Sequence, residues 1–267
     1  MIRVFPRKTK WTPNDELAFV GDPPLFRPPD QAVRISVTFT WDLFRAKMLH
    51  QAWNDYYSDV KVGGPALGDP GGEFEPGRFI KEGITITSRG CNNKCSWCLV
   101  PKREGKLREL KIKPGYIIED NNLLQCSRKH IEAVFEMLKE QNEPINFAGG
   151  LDARLLKEWH IKLFDTIKIN QIWFSCDLPH HIQYIYKIAP MLSHYPLNKK
   201  RCYVLVGYNG ENQEQAELRL NDIFNIGFLP FAQHYRAIND KHTDPRWAKF
   251  LKKWCRPAAI KAKGGKS

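Results

Sequence analysis

The stretch TSRGCNNKCSWCLVPKREG, Thr87 to Gly105, puts three of the chain's seven cysteines within eight residues. Cys91, Cys95 and Cys98 share one loop with Gly90, Asn92 and Asn93, residue types that tolerate tight and left-handed backbone and let a chain wrap round a bound group. An odd number of cysteines in a chain whose start lacks the apolar core of a signal peptide argues against a disulfide framework, so metal ligation is the default. A zinc site ordinarily draws two pairs of ligands separated by a dozen or so residues. Here no second pair follows, and His130, the first histidine after the loop, has no neighbour at ligand spacing. Three thiolates in one loop suit an iron-sulfur cubane, which ordinarily takes four cysteines, and leave one iron open to a substrate or cosubstrate.

Outward from this loop, short β-branched and aromatic runs recur at 83–87, 115–120, 144–150, 169–177, 201–208 and 227–235, which predicts six strands. Helical periodicity fills the gaps. Ser127 is placed to cap a helix whose Ile131, Val134, Phe135 and Leu138 share a face, and a second helix ends at Gly227. Strands alternating with helices imply an α/β fold with a parallel sheet and right-handed crossovers. Periodicity does not separate an open sheet from a barrel. In either form ligands gather at the carboxyl ends of the strands.

The rest of the chain frames that unit. At 267 residues, with 42% hydrophobic and 26% charged residues, the composition is that of a globular protein. No apolar run approaches the ~18 residues of a membrane span, and a cytoplasmic location is expected. Residues 1–32 are proline-rich and read as extended or irregular; "VRISVTFTWD", an amphipathic helix and "VKVGG" then form one βαβ unit. Three regions follow: 1–80, the N-terminal segment and βαβ extension; 81–240, the main α/β unit; and 241–267, a basic helix and tail. The net charge of +12 is concentrated at 241–267 and at 99–114. Lys102, Arg103, Lys106 and Arg108, with the basic tail, fit a nucleic-acid or nucleotide partner, and they equally fit a solvated loop and helix face.

The order Cys-x-x-x-Cys-x-aromatic-Cys, with Trp97 as the aromatic, resembles the signature of the radical S-adenosylmethionine enzymes. The resemblance implies a partial (β/α)6 barrel with the cluster loop after the first strand. It also implies a four-iron, four-sulfur cluster on Cys91, Cys95 and Cys98, whose open iron is chelated by the methionine amino and carboxylate groups of S-adenosylmethionine. Reductive cleavage, fed by an electron donor such as flavodoxin or ferredoxin, yields a 5′-deoxyadenosyl radical that abstracts hydrogen from a substrate. The loop's wider wording is most similar to methylthiotransferases and cobalamin-binding radical enzymes. No further cysteines precede Cys91 and the cobalamin-ligating Asp-x-His-x-x-Gly motif is missing, so neither accessory chemistry is expected.

Carried onto the strand ends, the resemblance implies a cosubstrate site. Asp120, Asn121 and Asn122 fall where the methionine amino group is bound, although an Asx turn fits them as well. Arg154 suits the carboxylate or a surface ion pair, and Ser175 and Asp177 suit the ribose, with helix capping as the alternative for Asp177. Gly207, Gly210 and Glu211 are similar to the glycine-glutamate segment beside the adenosyl group, and Tyr235 ends the sixth strand facing the cavity. Cys126, Cys176, Cys202 and Cys255 read as buried thiols, and His50, His160, His180, His181 and His194 as surface positions. A competing expectation is a non-catalytic protein that uses the cysteines as a zinc or iron-sulfur staple and the basic segments to hold nucleic acid.

Overall fold

The computed structural model describes residues 1–236 and 244–264. Its N-terminal part is a parallel sheet of β1 (Ile2–Phe5), β2 (Ala18–Val20), β3 (Val33–Ser36) and β4 (Val60–Gly63) in the order β2-β1-β3-β4, with α1 (Leu43–Asn54) between β3 and β4. The expected βαβ unit is β3-α1-β4, Val33 lying opposite Val60 and Ser36 opposite Gly63. The expectation of an irregular segment over 1–32 is corrected. The run Ile-Arg-Val-Phe is buried at all four positions and forms an interior strand between β2 and β3, while the proline-rich stretch beyond β2 stays irregular. Trp53 of α1 is fully buried against this sheet and donates its indole N–H to the Gly21 carbonyl, 3.1 Å away.

The main unit runs β5 (Ile84–Thr85), β6 (Ser88–Arg89), α2 (Val100–Arg103), β7 (Arg108–Glu109), β8 (Ile117–Ile118), α3 (Arg128–Lys139), β9 (Ile145–Leu151), α4 (Glu158–Phe164), β10 (Ile169–Ser175), α5 (Ile182–Ile188), β11 (Lys200–Val206), α6 (Gln213–Ile226) and β12 (Leu229–His234). Six of these strands form one sheet in the order β12-β11-β10-β9-β8-β5, every pair parallel. Each of the six expected runs is thus a strand, and the strands lie side by side in chain order. Side chains alternate across the sheet because strand periodicity is two. Phe147, Phe174, Val204 and Ala232 enter one core with Phe135, Ile185 and Leu220 of the helices. On the other face Trp173, Tyr203 and Phe231 are only partly buried and pack on one another, Trp173 stacking on Tyr203 with ring centroids 4.3 Å apart.

The helix signals act as read. Ser127 Oγ accepts the His130 N–H, and Ile131, Val134, Phe135 and Leu138 are buried on α3. Helix α6 ends at Gly227, whose φ of 101° is the left-handed conformation glycine supplies without strain. The C-terminal part is two helices rather than one, α7 (Pro245–Trp254) and α8 (Pro257–Gly264), divided where Pro257 opens a new helix. Phe250, Trp254 and Ile260 anchor them on the main core. Lys241 and Lys266 of the expected basic tail lie outside the described residues. Among the described residues no helix is long and apolar enough to cross a membrane.

Candidate functional site

The cysteine loop leaves the carboxyl end of β5 and returns through a short antiparallel pair, β6 with β7, which fixes its two ends. Inside that frame the Cys91 N–H donates to the Gly105 carbonyl at 3.1 Å and the Cys98 N–H to the Cys95 carbonyl at 3.1 Å. Gly90 is required at the neck: its φ is 77°, and a Cβ there would collide with the Lys106 carbonyl. Glu104, buried beneath the loop, accepts the Gly90 N–H at 3.0 Å, Asn121 Nδ2 at 2.6 Å and the Arg103 guanidinium at 2.5 Å. Those donors hold its carboxyl below the usual range despite burial. Three separate segments are therefore tied at one carboxylate.

The three thiols face a pocket of about 130 Å3 that they share with the ends of the next three strands. From β8 come Asn121 and Asn122, from β9 Asp152 and Arg154, and from β10 Ser175 and Asp177, with Trp97, His181 and Tyr184 closing the wall. Burial raises the Cys95 thiol to about 11, the neighbouring Cys98 and Asp177 adding to the shift, and burial raises Cys98 as well. Among the described residues no three His, Cys, Asp or Glu side chains are placed to hold a single metal ion.

Most of the expected site residues meet here, but with different duties. Trp97, Asn121, Asn122, Arg154, Ser175 and Asp177 line the pocket. Asp120 does not. It is 2% exposed and accepts the Thr87 N–H and hydroxyl at 2.6 Å each and the Ser88 hydroxyl at 2.7 Å, so it braces β8 to the strand beside it. Neither ligand binding nor an Asx turn describes it. Asn122 points Nδ2 toward Asp152, and its buried Oδ1 has no hydrogen-bond partner. The Arg154 fork is engaged by Asp152, with Nε and a terminal nitrogen 2.8 and 2.6 Å from its two oxygens, so the ion pair is the arrangement found. Asp177 caps no helix; burial raises its carboxyl to about 6 against the pull of Arg219.

Asp177 also lines an adjoining cleft of about 570 Å3, together with Tyr208, Gly210, Glu211 and Arg219. Glu211 is held by Arg219 at 2.6 Å and by the Gly207 N–H at 2.9 Å. Gly207 itself packs under the His234 ring, and Tyr235 meets Tyr208, which in turn meets Trp97 edge-on at 5.4 Å. Gly207 and Tyr235 thus support the wall rather than line either cavity.

Sequence reasoning missed several members. Asn93 donates to Asp152 at 3.1 Å and ties the loop to β9, and Arg219 bonds the Cys176, Asp177 and Leu205 carbonyls as well as Glu211. Neither has a local signal. The surface assignment of His160 and His181 is corrected. His160 is buried, with its Nδ1 accepting the Lys157 N–H as part of the start of α4, and His181 faces the cysteine pocket; burial lowers both rings to about 4. Cys126, Cys176 and Cys202 are buried as expected, and Cys255 is partly so. Of the basic quartet, Arg103 serves Glu104 and Arg108 donates to the Pro70 and Gly71 carbonyls, leaving Lys102 and Lys106 exposed. No protein-family model matches the chain, and no curated protein matches it.

Proposed function

We propose that the chain is a radical S-adenosylmethionine enzyme with its sheet curved into a partial (β/α)6 barrel. The observation that carries the reading is the meeting of three cysteines of one loop with polar side chains from the ends of three successive parallel strands in a single pocket. Accidental cysteines have no reason to sit at the one edge of an α/β sheet where ligands collect. Chain-order strands with helices on one face and a half-open aromatic face on the other suit a curved sheet.

The donor set fits the cofactors. Cys91, Cys95 and Cys98 would hold a four-iron, four-sulfur cluster, whose bound form supplies the electron that cleaves S-adenosylmethionine to methionine and a 5′-deoxyadenosyl radical. Thiolates that bind different irons need not converge on a point, whereas a zinc staple requires its donors around one ion. Asn122 Oδ1 is an orphan acceptor suited to an ammonium group, and an unpaired buried acceptor is costly unless a ligand satisfies it. Arg154 is oriented by its pair with Asp152 through Nε and one terminal nitrogen, and its other terminal nitrogen would donate to a carboxylate. Ser175 and Asp177 stand where a ribose would cross from the cysteine pocket to the cleft at Gly210. The pocket alone is smaller than the roughly 300 Å3 at which small-molecule sites begin, and the cleft supplies the remaining volume.

Anaerobic reconstitution with iron and sulfide, followed by metal analysis and electron paramagnetic resonance of the dithionite-reduced protein, tests the site. The expected result is about four irons and four sulfides per chain, lost in a triple Cys91, Cys95 and Cys98→Ala variant, and a resonance that shifts when S-adenosylmethionine is added. Asp177→Asn should keep the iron and weaken the shift. Zinc in place of iron, with no response to S-adenosylmethionine, would support the binding-protein alternative.

A further inference from the structure

A cavity of about 800 Å3 lies between the carboxyl edge of the N-terminal sheet, at Ser36 and Gly63, and the strands β5 and β8 of the main sheet. Asn121 lines both this cavity and the cysteine pocket. Trp11, Phe74, Ile84 and Ile86 give it apolar walls, and its volume exceeds what a metal ion or an amino acid needs.

Its charged residues are nearly all matched. Arg34 and Lys61 face Asp59, Arg78 faces Glu75 and Arg103 faces Glu104, while Asp69 and Glu73 accept backbone N–H groups from Gly71 and Lys111. Two are left over. Among the described residues no hydrogen bond or close ion pair engages the Arg89 side chain, and the Glu104 and Asp69 carboxylates act on it only at longer range; its Nε is buried and its guanidinium lies so close to Gly71 that any Cβ there would strike it. Glu119 likewise receives no hydrogen bond from a described residue, and Lys10 acts on it only at longer range. A partly buried cation and a partly buried anion without partners are costly, and a ligand that satisfies both offsets the cost.

Arg89 and Glu119 do not pair with each other, so each is open to its own group of a ligand, and the cavity is larger than an α-amino acid needs. A single uncommitted guanidinium matches one anionic group rather than a polyanion, which argues against a nucleic-acid strand in this cavity. We infer that the cavity is the substrate chamber and takes a nucleoside monophosphate, its phosphate on Arg89, its base between the apolar walls and its exocyclic amine donating to Glu119. The role as substrate rests on the proposed radical chemistry next door; the binding does not.

Calorimetric titration of the full chain with AMP and CMP, which carry the amine, and with IMP and UMP, which carry a carbonyl in its place, tests the inference. AMP or CMP should bind more tightly than its carbonyl counterpart, because a site built around a hydrogen bond rejects an analogue that cannot make it. Arg89→Gln should weaken binding by about 10- to 100-fold, the effect of losing a charge-assisted hydrogen bond. Glu119→Gln should remove or reverse the preference for the amine, since an amide can donate to the carbonyl. If either variant fails to fold, the amine-over-carbonyl preference of the native protein still decides. Absence of saturable mononucleotide binding, identical affinities in native and variant proteins, or tighter binding of a single-stranded oligonucleotide than of any mononucleotide would overturn the assignment. Formation of 5′-deoxyadenosine, read on the same samples, separates the two claims. Binding that depends on Arg89 without that product leaves the chamber and removes the radical reading, and the product without such binding does the reverse.

Discussion

At the scale of single residues, the cysteine loop depends on side chains that never touch a ligand. Glu104 ties the loop neck, the Arg103 guanidinium and the end of β8 together from beneath. Glu104→Gln keeps the shape but removes the charge that Arg103 faces, and should cost about 2 kcal/mol by urea denaturation, less than a fully buried pair because Arg103 keeps some contact with water. Gly90→Ala should cost at least 1–2 kcal/mol from its left-handed φ alone, before the clash with Lys106 is counted. His160 sets a pH dependence. Its folded-state ring titrates near 4 and its unfolded-state ring near 6.5, so between those values the unfolded chain binds the extra proton and stability falls on acidification. This one group should contribute up to about 1.4 kcal/mol per pH unit to the slope, and His160→Asn should lower the slope by that amount between pH 6.5 and 4 while the contribution of His181 remains. An unchanged slope in the variant would mean the ring is not held neutral.

At the scale of elements, Arg219 on α6 is the clasp between β10 and β11. It is 5% exposed and donates to three carbonyls at the strand ends besides pairing with Glu211. Arg219→Leu would strand Glu211 and those carbonyls, and should destabilise the protein by about 3–5 kcal/mol in denaturant titrations. A loss below 1 kcal/mol would show that water replaces the clasp. The six strands were legible in the sequence because each combines β-branched and aromatic residues with alternation that matches one buried face, as in the Phe147, Phe174 and Val204 positions. β1 was not, since four residues among proline-rich neighbours carry too little pattern, and its burial comes from β2 and β3 pairing on either side. The rule that strand ends carry the site found Asn122, Ser175 and Asp177. It could not distinguish them from Asp120 and Glu211, whose carboxylates are taken up by Thr87, Ser88 and Arg219 through contacts far apart in sequence or across a turn.

At the scale of the whole molecule, two parallel sheets keep separate cores, and a small cluster of Phe74, Ile86 and Leu110 lies between them. Arg3 reaches from β1 to the Gly77 and Arg78 carbonyls, and Lys81 donates its N–H to the Trp11 carbonyl. Arg108 also donates to the Pro70 and Gly71 carbonyls, and the Lys111 N–H donates to Glu73. Trp53→Ala, which empties the N-terminal core alone, should cost about 3–5 kcal/mol and split urea unfolding into two steps, the first confined to the smaller sheet. A single shifted transition would mean the units unfold as one.

The central claim is that the three cysteines and the strand ends around them initiate radical chemistry. The most direct measurement is chromatography for 5′-deoxyadenosine after anaerobic reconstitution with iron and sulfide and addition of dithionite and S-adenosylmethionine, in the native protein and in the triple Cys91, Cys95 and Cys98→Ala variant. The native protein should form 5′-deoxyadenosine and the variant none above background. A native protein that retains iron but forms no 5′-deoxyadenosine, or a variant that forms as much, would contradict it.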